Sequence, residues 1–98
     1  MTVEVRLRRE AEQELLDAAH WYEQKREDLG RQFLSEVQLA MEWLAEHPRS
    51  APVVFRGVRR MLVRRFPFGI FYKVEDSRII VVAVMHASRH PHRWKSRA

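Results

Sequence analysis

Apolar and polar residues alternate over Val3-Glu4-Val5-Arg6-Leu7, the period-2 pattern of a half-buried strand. From about Arg9 to Arg26 the period lengthens. Ala11, Leu15, Ala18 and Tyr22 recur at helical spacing in a stretch free of Gly and Pro, which predicts a helix with one buried face. Glu10 and Glu12 fall in its first turn, where they complement the helix dipole. Asp28-Leu29-Gly30 interrupts the pattern, with Asp28 placed to cap a second helix. Phe33, Val37, Ala40 and Leu44 form the inward stripe of that helix to about His47, and Pro48 closes it. Two helices joined by so short a turn predict an antiparallel hairpin.

The second half reads differently. His47-Pro48-Arg49-Ser50-Ala51-Pro52 is a loop by composition. Gly57 precedes a strand through Val58–Arg65, and Pro67 punctuates it. Ile70–Val74 predicts another strand and Glu75–Arg78 a turn. Ile79–Met85 is apolar throughout, as suits a strand buried on both faces. The order is β-α-α-β-β-β. It predicts an α+β fold, one domain over residues 1–98, with the helical hairpin on one face of a largely antiparallel four-stranded sheet. The pattern does not specify strand order.

Composition narrows the class. The 98 residues are 46% hydrophobic and 32% charged, as in ordinary globular chains. No apolar run approaches the ~18 residues that span a bilayer, and the charged N-terminus does not read as a secretory signal. The absence of cysteine excludes disulfides, thiolate metal sites and cysteine nucleophiles. A soluble, cytoplasmic protein without membrane contact is expected. The net charge of +5 conceals a division. Residues 1–48 hold six Lys/Arg against eleven Asp/Glu, whereas residues 49–98 hold twelve against two, Glu75 and Asp76. A half-molecule that basic attracts polyanions or an acidic partner, or serves as a solvated surface.

The candidate chemistry lies mainly in that half. On a strand through 58–65, Arg60 and Arg64 point one way and Arg59 and Arg65 the other. Arginine's planar fork suits phosphate. His86-x-x-x-His90-x-His92 lacks the Cys, Asp or Glu that would complete a metal site, so neither metal nor cofactor is expected. RNA cleavage through the 2′-hydroxyl needs no metal. Arginines can stabilise the charged phosphorane, and His86 or His90 can move protons. His90 and Trp94, among the C-terminal arginines, offer planes for base stacking, or Trp94 covers a sheet edge. On the helices, Leu39 and Trp43 sit opposite the inward stripe, while Leu16 and Trp21 flank it. These four suggest a partner surface, and a homodimer is one possibility.

Two ordered segments, Ala18-x-x-Trp21-Tyr22-Glu23 and Leu29-Gly30-x-x-Phe33-x-x-Glu36-Val37, resemble the helical hairpin of RelE/ParE-type toxins. So does Arg59-Arg60-x-Leu62-Val63-x-Arg65-Phe66-Pro67-Phe68-x-Ile70-Phe71-Tyr72-x-Val74. The ending Val84-x-His86-x-x-Arg89-His90-Pro91-x-x-Trp94 is similar to the family's last stretch, although Asp is common where this chain has His90. The resemblance spans nearly the whole chain. It implies a toxin of a type II toxin–antitoxin pair, with the same element order, neutralised by a cognate antitoxin whose C-terminal segment wraps along helices and sheet. On this basis Leu16, Trp21, Leu39 and Trp43 are antitoxin-binding candidates.

The family divides by target. RelE-like members cut mRNA on the ribosome, and Arg60, Arg64, His86 and Arg89 are then the catalytic candidates. ParE-like members inhibit DNA gyrase without catalysis, and Arg89, His90, Arg93, Trp94 and Lys95 become the target-binding candidates. Gly69 stands where the nucleases usually carry an arginine, and Trp94 falls near a proton-transferring tyrosine. The Trp-Tyr-Glu and Phe-Pro-Phe segments look ParE-like, so the resemblance favours the gyrase inhibitor. Its alternatives are a ribosome-dependent nuclease and a non-toxic member that binds antitoxin or DNA.

Overall fold

Two helices form where the 3.6-residue stripes predict them. In the computed structural model, which describes residues 2–88 and 91–98, α1 spans Arg9–Lys25 and α2 spans Leu29–Glu46. Their inward residues are buried, with Ala11, Ala18, Ala19 and Tyr22 facing Phe33, Val37, Ala40 and Leu44 in one core. Gly30 is required at the hairpin. A Cβ there would stand 2.4 Å from the carbonyl oxygen of Ala19, so any larger residue would push the helices apart.

Asp28 does not cap α2 as the sequence suggested. It sits at the cap position in the left-handed region, φ 73°, and makes no side-chain cap bond. Its carboxylate instead accepts from the Arg31 guanidinium at 2.6 and 2.8 Å. Glu23, reaching across from α1, takes the cap's role: its two oxygens accept from the Asp28 and Gly30 N–H groups at 2.8 and 2.9 Å. One carboxylate thus satisfies the N-cap N–H and one orphan donor of α2 and pins the hairpin.

The sheet has five strands rather than four, in the order β1-β5-β4-β3-β2. These are β1 Glu4–Leu7, β2 Val53–Phe55, β3 Val58–Leu62, β4 Phe68–Glu75 and β5 Arg78–His86. The added strand, β2, is three residues long between a proline-containing loop and a tight turn, too short for periodicity to reveal. β1 pairs parallel with β5, and every other pairing is antiparallel. Arg56-Gly57 and Asp76-Ser77 close the β2–β3 and β4–β5 hairpins with positive φ at both central residues, as two-residue hairpin loops of this hand require. β3 ends at Leu62, before the expected Arg65, because the chain turns through Arg65 at φ 72°.

The sheet is buried on both sides. Ile70, Tyr72, Ile79, Val81 and Val84 face the helices. Val58, Phe71, Val82 and Ala83 face a short helix, α3 Pro91–Lys95, on the opposite side. A bulge in β5 lets both Val82 and Ala83 point to the α3 side, since Phe71 pairs with Ala83 and Tyr72 with Val81.

Candidate functional site

β1 accompanies β5 only as far as the Leu7–Val81 pairing, so the far half of β5 has an open edge. Against that edge lies a groove of about 680 Å³. Val84, Met85 and His86 form one wall, while Glu14, Asp17 and Trp21 of α1 form the other. Phe68 and Arg93 also line it.

The backbone chemistry of this edge explains its shape. Glu14 accepts a hydrogen bond from the Val84 N–H at 3.1 Å, so Val84 directs its polar groups outward. Arg97 grips the same carboxylate with two bonds at 3.0 and 3.1 Å and donates to the Val82 carbonyl at 2.9 Å. Arg8 in turn donates to the Arg97 carbonyl at 3.1 Å. The clamp therefore seals the edge beside the bulge and ties the C-terminal segment to the sheet. Past the clamp, the Ala87 N–H donates to Pro67 while His86 stands opposite Phe68. His86 thus occupies a non-hydrogen-bonded position, and its N–H and C=O point into the groove. An open strand edge along a groove is the geometry that accepts an added extended peptide.

Of the candidate nuclease residues, the described three, Arg60, Arg64 and His86, project from different parts of the fold. Arg60 pairs with Phe71 and so projects on the α3 face, its guanidinium donating to the Ala87 carbonyl at 3.4 Å. His86 is on the helix side, its ring 6.1 Å from Phe68 and its Nδ1 3.1 Å from the Ser88 hydroxyl. Arg64 was expected to align with Arg60, but it stands exposed in the turn after β3. Arg89 and His90 lie outside the described residues. Gly69 has a packing explanation: a Cβ there would meet the Arg60 stem at 3.2 Å, so the glycine lets Arg60 lie across β4.

Other arginines serve the fold. Arg59 donates to the carbonyls of Arg49 and Ala51 at 3.1 and 2.6 Å. Arg65 reaches Gln32 at 2.9 Å and Glu36 at 3.7 Å. Beneath Arg59, the Tyr72 hydroxyl donates to the Pro48 carbonyl at 2.8 Å, and burial pushes its pKa up.

Trp94 is also corrected. The residue is only 5% exposed and its ring stacks on Phe71 at 4.6 Å, which places it in the core rather than on a surface open to base stacking. It covers the face of the central strand β4 rather than a sheet edge. Its neighbours Arg93 and Lys95 are exposed on α3.

The four hairpin candidates fall on two helices, with Leu39 and Trp43 neighbours on α2. Trp21 lines the groove with the Lys25 ammonium 4.7 Å from its ring centre. Leu39 borders a shallow depression on the outer face of α2. Trp43 is exposed and stacks on His47 at 3.9 Å, and Leu16 is exposed on α1. The sequence did not reveal Glu14 and Arg97, because one glutamate on a polar helix face looks like any other. Among the described residues no cluster of three or more His, Asp or Glu is placed to hold a metal. None of the described helices is long and apolar enough to cross a membrane.

The motifs noted in the sequence acquire physical meaning here. Tyr22 stacks edge-on against Phe66 at 4.8 Å, and Phe33 meets Phe66 and Phe68 at 5.2 and 5.1 Å. The Trp-Tyr-Glu and Phe-Pro-Phe segments therefore build one aromatic cluster, with Trp21 in the groove and Glu23 capping α2.

A helical hairpin packed on this sheet defines a fold found in toxins of toxin–antitoxin pairs. One similar solved structure is that of the chromosomal ParDE system from P. aeruginosa, with TM-score 0.72 and 18% identity over 87% of this chain and 96% of that one. Another is the RelBE2 toxin–antitoxin complex from Mycobacterium tuberculosis, with TM-score 0.59 and 21% identity over 88% and 99%. Comparison with curated proteins finds no match. The model of the ParE toxin of the type II toxin–antitoxin system parDE matches residues 5–91, and the chain belongs to that family.

Proposed function

We propose that this toxin acts in the cytoplasm by inhibiting DNA gyrase through protein contacts, and that a cognate antitoxin silences it by laying its C-terminal segment in the α1–β5 groove. The observation that carries the first part is the separation of Arg60 and His86 on opposite faces of the sheet. Metal-free RNA cleavage needs a proton-moving group and stabilising cations around one phosphate. Arg60 and His86, projecting on different faces, do not assemble such a pair. Inhibition by contact needs only an accessible charged surface, and Arg93 and Lys95 supply one on α3, held rigid by Trp94 beneath.

The second part is supported by the groove. An extended segment can pair with the His86 backbone while its apolar side chains contact Trp21 and Phe68. Acidic residues on that segment would meet Arg93 at the rim.

Supercoiling of relaxed plasmid by purified gyrase tests the target. The chain is expected to inhibit, and the double variant Arg93→Glu, Lys95→Glu to lose inhibition without losing thermal stability. Full supercoiling at saturating toxin would overturn the gyrase reading. New transcript 5′ ends in a translating extract would replace it with a ribosome-dependent nuclease.

A further inference from the structure

The outer face of α2 carries a pattern that neither the sheet nor the groove uses. Arg31, Leu34, Ser35, Gln38, Leu39 and Glu42 are all exposed and border one shallow depression. Their positions are symmetric about the point midway between Glu36 and Val37. When a second α2 is laid antiparallel across this face, with a two-fold axis at that point, Arg31 stands level with Glu42 of the second copy. Leu34 then stands level with Leu39, and Ser35 with Gln38.

The spacing fits helix packing as well as charge. Arg31, Ser35, Gln38 and Glu42 follow one another at intervals of four, three and four, so they form one polar stripe along the helix. Leu34 and Leu39 flank that stripe on its two sides. Ser35, with its small side chain, lies next to the centre and lets the helices approach.

We propose that this face is an isologous interface with a second copy of the chain, closed at each end by an Arg31–Glu42 pair between copies. A face that is its own complement in charge and in apolar position specifies a second copy, since an unrelated partner requires no such symmetry. Arg31 now pairs with Asp28, and Gln38 donates to Glu42 at 3.1 Å. These contacts are exposed, so rearranging them costs little. The helix offers about 27 Å of length at 1.5 Å per residue, and its central stripe is polar. The dimer therefore belongs to the small, concentration-dependent class. The inference is independent of the gyrase reading.

Sedimentation velocity of the full chain over a concentration series tests it. The expected result is a monomer–dimer equilibrium. Arg31→Glu and Glu42→Arg should each weaken it about tenfold, because each reverses a pair at both ends. The double variant, with both charges exchanged, should restore it. Far-UV circular dichroism checks that each variant folds.

A second readout needs no charge change. The chain has no cysteine, so Ser35→Cys with a short bis-maleimide should give covalent dimers, and Asp17→Cys in the groove should not. A monomer at every concentration without cross-linking would overturn the proposal. So would a dimer indifferent to the charge reversals. If the reversals instead weakened antitoxin binding by a monomeric chain, the face would belong to the antitoxin and the proposal would fall.

Discussion

Removing Glu14 tests whether the clamp, rather than apolar packing alone, fixes the C-terminal segment and the groove. The carboxylate receives two guanidinium bonds from Arg97 and one from the Val84 N–H, all between 3.0 and 3.1 Å. Both side chains are about four-fifths buried, at 22% and 20% exposure, so solvent screens the pair only in part. Charge-assisted bonds in such a setting are worth about 1.5–3 kcal/mol. Glu14→Ala should thus cost about 2 kcal/mol, because it also strands the Arg97 guanidinium against the sheet. For a domain of this size that lowers Tm by about 8–16 °C. Glu14→Gln keeps an acceptor for Val84 and should lose about half as much. Arg97→Ala should cost about 1–2 kcal/mol, and the double variant little more than Glu14→Ala. Thermal and urea unfolding of the four proteins forms the cycle. A Tm change below about 2 °C for Glu14→Ala, or losses that add to within about 0.3–0.5 kcal/mol, would refute the clamp.

Three further perturbations follow from local geometry. Gly30→Ala places a Cβ 2.4 Å from a backbone oxygen that cannot rotate away; it should cost about 1–3 kcal/mol in urea unfolding despite alanine's better helix propensity. Ser77→Gly should do the opposite, raising stability by about 1 kcal/mol, because Ser77 holds φ 64° at a turn position that suits glycine. Burial raises the pKa of Tyr72 above its ordinary 10.0, with the Ala51 backbone and Arg59 opposing it. The stability this contributes is complete below pH 10.0 and lost as pH rises through the folded value. Tyr72→Phe should cost about 1 kcal/mol at pH 7 for the bond to Pro48, and a pH series of melts should show a shallower alkaline decline than the parent.

How much the sequence discloses depends on the range of the interaction. The α1 and α2 stripes are local and uninterrupted, so Phe33, Val37, Ala40 and Leu44 could be read as core directly. β5 was legible because both of its faces are apolar. β2 was not, being three residues long, and the end of β3 was misjudged because Arg65 turns the chain in a conformation most residues avoid. The parallel β1–β5 pairing and the open edge it leaves depend on contacts more than seventy residues apart, and no local pattern encodes them. The candidate site shows the same division. Trp21 could be read as an exposed residue, but its groove could not. Trp94 looked accessible because a polar, basic tail surrounds it, whereas its stacking partner Phe71 lies on a distant strand. Arg59 and Arg65 looked like phosphate ligands because arginine serves carbonyls and phosphates with the same donors.

If the chain inhibits gyrase, as proposed from the placement of Arg60 and His86 on opposite faces of the sheet, it stops DNA synthesis before translation. Induction of the chain alone in bacteria, with thymidine and amino-acid incorporation followed in parallel, tests it most directly. Prompt loss of thymidine incorporation while amino-acid incorporation continues is expected, with rescue by Arg93→Glu, Lys95→Glu. Prompt loss of amino-acid incorporation with DNA synthesis intact would contradict it.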